Sequence, residues 1–324
     1  MSDLNYVYAV ARIRVKEKSL LSDQDISLMA GMKNETEVLS YLAEKGWGDG
    51  GSGQLNAEQM LSAEEEKINE LIEELKVDPK IFKVLSYPKM YHNLKAVIKD
   101  LCTEEHPGGL CYDIEDLSEK KLTEIIKSKH YEELPEHMRD AAAEAYDLLL
   151  QTGDGQMCDI ILDRACLDAM RKAGKASGSK LLKEYEESAV AVADIKIAVR
   201  ARKTGKSLDF LNKALAPCSA FDTAKLAAAA VAGEEELTEF LEASGYGEAA
   251  EALKGSPYLF EKWCDDRVID SLRPQKTNSV SEGPILAYYL ARENEIKTAR
   301  IILTAKANGF SEDSIRERMR KMYG

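Results

Sequence analysis

The chain has 324 residues, long for one hydrophobic core, and its 44% hydrophobic content excludes global disorder. Its 57 acidic residues outnumber 44 basic ones, for a formal net charge of -13. That balance argues against nucleic acid as the main partner, because such proteins need surplus Lys and Arg to replace counterions.

Aromatics make up only 7%, while Ala, Leu, Glu and Lys dominate, a composition that suits helices and gives strands little to work with. The fold class is read as all-α. The opening MSDLNYVYAVARIRVKEK places Arg12 and Arg14 where a secretory signal needs an apolar core. No stretch reaches the roughly 18 apolar residues of a membrane span, and the Ala-rich run at 224–232 is far too short. A cytoplasmic protein, at most peripheral to a membrane, is expected. Residues 46–53, GWGDGGSG, read as a flexible loop. Residues 105–109, EHPGG, and the neighbourhood of Ala216 and Pro217 read as joints between subdomains, and the eight prolines as markers of helix ends. Towards the C-terminus, Pro284 opens a helix that runs through Ile296 and Leu303, and Gly309 ends it. Ser311 starts another, with Glu312 and Asp313 in its first turn.

An internal repeat organises these helices. Tyr91-His92-Asn93-Leu94-Lys95-Ala96-Val97-Ile98-Lys99 aligns with Ala193-Asp194-Ile195-Lys196-Ile197-Ala198-Val199-Arg200 and with Asn294-Glu295-Ile296-Lys297-Thr298-Ala299-Arg300-Ile301. Each has a polar residue, an aliphatic and a Lys, followed by further aliphatics and a base. Asn93, Asp194 and Glu295 stand at two equal steps of 101 residues. Leu42-Ala43-Glu44-Lys45-Gly46-Trp47-Gly48 likewise resembles Leu241-Glu242-Ala243-Ser244-Gly245-Tyr246-Gly247. Ala11-Arg12-Ile13-Arg14 matches Val199-Arg200-Ala201-Arg202, giving a fourth copy of the helix. Four copies over three units follow if the first and last helices share a unit and close the body into a ring. The period is far longer than the 20–50 residues of solenoid modules. The expected organisation is three helical bundles, 1–108, 109–216 and 217–324, forming a docking body rather than an active-site cleft.

Candidate chemistry is sparse. Gly205-Lys206-Ser207 has the end of a phosphate-binding loop, but Arg200 stands where that motif needs its first Gly; residues 174–180, GKASGSK, fail the spacing too. Both read as helix-end loops. Cys102, His106 and Cys111 lack the short paired turns of structural zinc sites, and the six cysteines read as reduced core residues. No His follows a Glu at the Glu-x-x-His spacing, and His92 reads as part of a helix start. Asp159, Asp163 and Asp168 read as ion-pairing residues. No catalytic residue, cofactor site or metal site is assigned.

The opening Tyr8-Ala9-Val10-Ala11-Arg12-Ile13-Arg14, the Tyr91–Lys95 turn, Asp159-Ile160-Ile161-Leu162-Asp163-Arg164-Ala165 and the ending from Gly309-Phe310 through Ile315-Arg316-Glu317-Arg318 to Tyr323 together resemble the C subunits of bacterial and archaeal V/A-type ATPases. That family is similar to the d subunit of the eukaryotic vacuolar enzyme. Two departures are Asp194, where the family often has Asn, and Cys166, in place of a more usual aromatic.

The resemblance implies a non-catalytic rotor connector: a funnel of three pseudo-symmetric bundles around a central opening. Its expected partners are the D and F subunits of the central stalk and the proteolipid ring, with the membrane stator as a further contact. Coupling would serve proton or sodium transport and ATP synthesis or hydrolysis. Two readings stay open for the recurring bases Arg12, Arg14, Arg200, Arg202, Lys297 and Arg300. Either they balance acidic helices through ordinary salt bridges, or some line the socket and meet acidic residues of the stalk. Trp47 and Tyr246 are packing plugs or interface anchors. The alternatives in other classes are a helical scaffold with different partners and an all-helical enzyme with an unrecognised pocket.

Overall fold

Polar caps divide the chain into its helices. The computed structural model describes residues 3–48, 56–77, 79–102, 111–112, 114 and 117–324. Residues 49–53 of the expected glycine loop, the expected joint at 105–109 and His106 lie outside the described residues. The first helices are α1 (Asp3–Glu17), α2 (Asp23–Gly31), α3 (Glu35–Glu44) and α4 (Ala57–Leu75). Ser22 caps α2 reciprocally with Asp25, each side chain bonding the other's backbone N–H, and Asn34 and Asn56 cap α3 and α4. There follow α5 (Pro79–Cys102), α6 (Glu119–Ser128), α7 (Glu136–Thr152), α8 (Gly155–Ala176), α9 (Lys180–Lys203), α10 (Leu208–Ala214), α11 (Thr223–Ala232) and α12 (Glu234–Ala243). The last four are α13 (Gly247–Lys254), α14 (Pro257–Leu272), α15 (Gly283–Ala307) and α16 (Glu312–Arg316). Among the described residues there is no strand, and the chain is all-α.

Pro284 lies in the first turn of α15, Gly309 takes the left-handed conformation at φ 69° just past its end, and Ser311 caps α16 by accepting from Ser314 N–H. Two local readings are corrected. Pro88 lies inside α5 rather than at a helix end, and residues 91–95, with His92, sit in the middle of that helix rather than at its start. A proline inside a helix removes its own N–H and crowds the carbonyl four residues earlier, and a 24-residue helix otherwise held by packing absorbs that penalty.

The helices pack into two compact units. The first joins Met1–Pro79 to Tyr246–Gly324. Its axis is α15, buried around most of its circumference and in contact with α1, α2, α3, α4, α14 and α16. Such a helix shows little amphipathic contrast in sequence, because every face meets protein. Ile296, Ala299, Ile302 and Leu303 of α15 meet Met29, Val38, Leu42 and Leu61 in one apolar core, each large side chain contributing about 1.5–3 kcal/mol on burial.

The second unit is Lys80–Gly245. Here α9 packs on α8, α10 and α11 with Val190, Ala191, Ile195 and Ala198 buried. The α5 helix is tied to α8 by Lys95–Asp163 at 2.6 Å and Lys99–Asp159 at 2.8 Å, and to α7 by the bond from Tyr91 Oη to the His137 carbonyl at 2.5 Å.

Candidate partner interface

The repeated helix carries the same device three times. Asn93, Asp194 and Glu295 are at most 1% exposed, on α5, α9 and α15 respectively. Each accepts a hydrogen bond from the backbone N–H of a segment outside its own helix: Tyr112 at 2.8 Å, Ala216 at 2.9 Å, and Leu21. A buried acceptor is worth most when it satisfies an N–H that would otherwise be orphaned. This explains why the position stays polar although it is buried in all three copies. Asn93 also donates from Nδ2 to the Tyr112 carbonyl at 2.8 Å, so its amide is held at both ends. Asp194 has no such donor, and its Oδ2 is buried without a hydrogen-bond partner. Burial pushes the Asp194 carboxyl up to about 7, only partly offset by the Ala216 N–H and by Arg164.

Glu295 belongs to a buried charge cluster in the first unit. Arg292 on α15 bridges Glu295 and, across the core, Glu64 on α4, and its guanidinium lies 4.9 Å from the Trp47 ring centroid. Glu64 accepts from Gly48 N–H at 2.8 Å and pairs with Lys67 at 2.7 Å. Desolvation pushes the Glu295 carboxyl upward against the pull of Arg292. The cluster fixes the turn after α3, the segment after α1 and the α4 helix to one point on α15. The sequence carried a signal for it, since Arg292 and Glu295 are spaced i, i+3 on one helix, but the distant partner Glu64 had none.

The eight residues singled out from the sequence divide between the units. In the first, Arg12 forms a forked pair with Glu74, Arg14 binds Glu17 and the carbonyls of Gln275 at 2.6 Å and Asn278 at 2.5 Å, Lys297 pairs with Asp265 at 2.7 Å, and Arg300 with Glu58 at 2.5 Å. Trp47 and Tyr246 are buried, at 4% and 6% exposure, each just after a left-handed glycine, Gly46 or Gly245. The Trp47 N–H bonds back to Leu42 C=O at 3.0 Å, closing the helix end over its own ring. Tyr246 meets Trp263 edge-on at 6.1 Å and Arg267 at 4.6 Å. In the second unit Arg202 pairs with Glu234 at 2.6 Å, while Arg200 is exposed on the last turn of α9 with no side-chain ion pair among the described residues.

The residues weighed for other chemistry have structural duties. Gly205 is left-handed at the end of α9, Lys206 reaches Gln156, and Ser207 caps α10 by accepting from Phe210 N–H. Gly174 lies against Glu186, and Ser177 and Ser179 close α8 and open α9. Cys102 and Cys111 are partly buried, and burial pushes the Cys111 thiol up to about 11, away from the thiolate that metals prefer. Among the described residues no three His, Cys, Asp or Glu side chains gather as a metal site, and no helix is long and apolar enough to cross a membrane.

Comparison with known proteins extends over most of the chain. The family described as ATP synthase (C/AC39) subunit matches residues 9–318. The chain is 24% identical over 270 residues to the C subunit of the V-type sodium ATPase of Enterococcus hirae, covering 82% of each chain. It is also 24% identical over 342 residues to the C subunit of the A-type ATP synthase of Methanocaldococcus jannaschii, covering 96% of this chain and 85% of the relative. The same identity over 345 residues relates it to the C subunit of the A-type ATP synthase of Methanothermobacter thermautotrophicus, covering 96% and 87%.

Proposed function

The chain belongs to the ATP synthase (C/AC39) subunit family, that of the C subunits of V/A-type ATPases, and from that premise we propose that it is the non-catalytic connector between the central stalk and the membrane ring. The observation that carries this reading is the family match from residue 9 to residue 318.

In this reading three bundles, 1–108, 109–216 and 217–324, form a funnel at the cytoplasmic face of the membrane. Its opening receives the tip of the D and F subunits, its narrower face rests on the proteolipid ring, and the membrane stator is a further neighbour. The chain turns with the rotor and passes torque between ATP chemistry and proton or sodium movement. A torque-bearing part needs stiffness, and two features of the chain support that duty. Long helices buried on most faces resist bending, and buried polar latches at 93, 194 and 295 pin segments outside each helix to them. Arg200 is the leading stalk contact among the bases, because its charge is not spent on an ion pair within the described chain.

Reconstitution tests the coupling role. Complexes assembled without this chain are expected to keep ATP hydrolysis by the soluble sector but to lose ATP-driven ion uptake into vesicles, and adding the chain back restores it. Ion uptake at the full rate in its absence would overturn the proposal.

A further inference from the structure

The second unit has an open groove of about 620 Å³ whose floor is one face of α8. From Met157 to Lys172 the lining residues of α8 recur at i, i+3 and i+4 spacing, the signature of a single helix face. Those 15 steps rise roughly 22 Å at about 1.5 Å per residue, the length of a four-turn helix. The floor has an apolar part only partly covered by this chain, Met157, Ile160, Ile161 and Ala165, all half-buried, beside the Arg164–Asp168 ion pair on the same face. Small residues, Ala141 from α7 with Ala165 and Ala169, let a guest backbone approach to the shorter end of helix packing distances.

The walls differ in charge. On the α7 side stand Asp140 and Glu144, one turn apart, exposed, and without an ion-pair partner among the described residues. Like charges at that spacing repel each other along a helix, so nothing within α7 rewards the arrangement. Lys172 is exposed at the far end of the α8 face, and Lys213 on the α10 side sits on Asp209 at 2.8 Å. Arg164, in the middle, is already committed to Asp168 and to the Leu215 carbonyl.

We infer that this groove receives one amphipathic helix of about fifteen residues from another component of the same complex, with its apolar face on Met157, Ile161 and Ala165 and two basic residues one turn apart against Asp140 and Glu144. The inference rests on the ATPase reading above and adds a partner surface to it. Apolar packing on the half-covered floor supplies affinity, and the unpaired acids fix direction and register.

The test is photo-crosslinking in the intact complex, purified through a tag on a different polypeptide of that complex. Benzoylphenylalanine replaces Ile161 on the floor and, separately, Asn212 on the opposite wall. Leu150, exposed on α7 but not part of the groove, is the control. Both groove positions are expected to mark the same peptide of one other polypeptide, helical in pattern and carrying Lys or Arg at i, i+4. The control position does not mark it. Asp140→Lys with Glu144→Lys, both exposed and tolerant of change, should cut that crosslink about tenfold. Copurification of the chain without an intermolecular crosslink from the groove, or with one to a peptide lacking the basic pair, overturns the groove inference alone. Failure of the chain to copurify removes the ATPase reading and the groove with it.

Discussion

Replacing Asp194 with the residue at its equivalent position, Asn93, should stabilise the chain at neutral and alkaline pH and have little effect in acid. The Asp194 side chain is 0% exposed, accepts one bond from Ala216 N–H and leaves Oδ2 without a hydrogen-bond partner. Its carboxyl is pushed from 3.8 up to about 7 by desolvation, with the Asp168 charge acting in the same direction and Arg164 against it. The folded chain therefore holds a proton that the unfolded chain releases, and the ionised form is what folding disfavours. Stability from this group is present below the ordinary carboxylate range and is lost as pH rises through about 7. At about 1.36 kcal/mol per pH unit, the full shift is worth roughly 4 kcal/mol at most. The new amide Nδ2 needs an acceptor; one left unmet would cost about 1–3 kcal/mol. The Asn93 precedent, which donates to the carbonyl of the same residue whose N–H it accepts, points to the Ala216 carbonyl. A net gain of about 1–3 kcal/mol is expected for Asp194→Asn at pH 8, and less than about 0.5 kcal/mol at pH 5. Urea unfolding followed by far-ultraviolet circular dichroism at the two pH values measures both. A loss of stability at pH 8, or an equal change at both, would refute the reasoning.

Four further outcomes follow from the same packing. Arg292→Met leaves Glu64 and Glu295 buried without their shared cation and should cost about 3–5 kcal/mol in urea unfolding, with part regained when Glu295→Gln is added. Gly174→Ala would bring its Cβ to 2.3 Å from Glu186 Cγ and should cost about 1–3 kcal/mol; Glu186→Ala in the same chain should reduce that cost in a double-mutant cycle. Gly46→Ala and Gly245→Ala, at φ 85° and 80°, should each lower stability by about 1–2 kcal/mol, and unequal losses would argue against treating the two turns as equivalent. Arg200→Glu should weaken binding of the isolated D and F subunits about tenfold while leaving the thermal midpoint unchanged; unaltered affinity would remove Arg200 from the stalk contact.

The repeat was legible because burial leaves a periodic record. The helices α5 and α9 begin and end 101 residues apart, and the polar position within them stands out against aliphatic neighbours. Gly309 and Ser311 were legible because helix ends demand particular backbone and side-chain chemistry. Pro88 misled for the same reason: proline marks an end in most contexts, but here packing overrides its local penalty. The partners of the bases were not legible. Arg12 finds Glu74, and Arg300 finds Glu58, 242 positions away, through the tertiary fold and not through any local spacing. The groove along α8 was hidden in the same way. Asp140 and Glu144 look like ordinary solvated acids until α7 is seen beside the half-covered face of α8.

The most direct test of the connector account is affinity purification of the tagged, full-length chain from gently solubilised membranes, with bound chains identified by mass spectrometry. Recovery of the proteolipid together with the D and F subunits is the predicted result. Recovery of the chain alone, from a preparation in which those partners are shown to be present and intact, would contradict it.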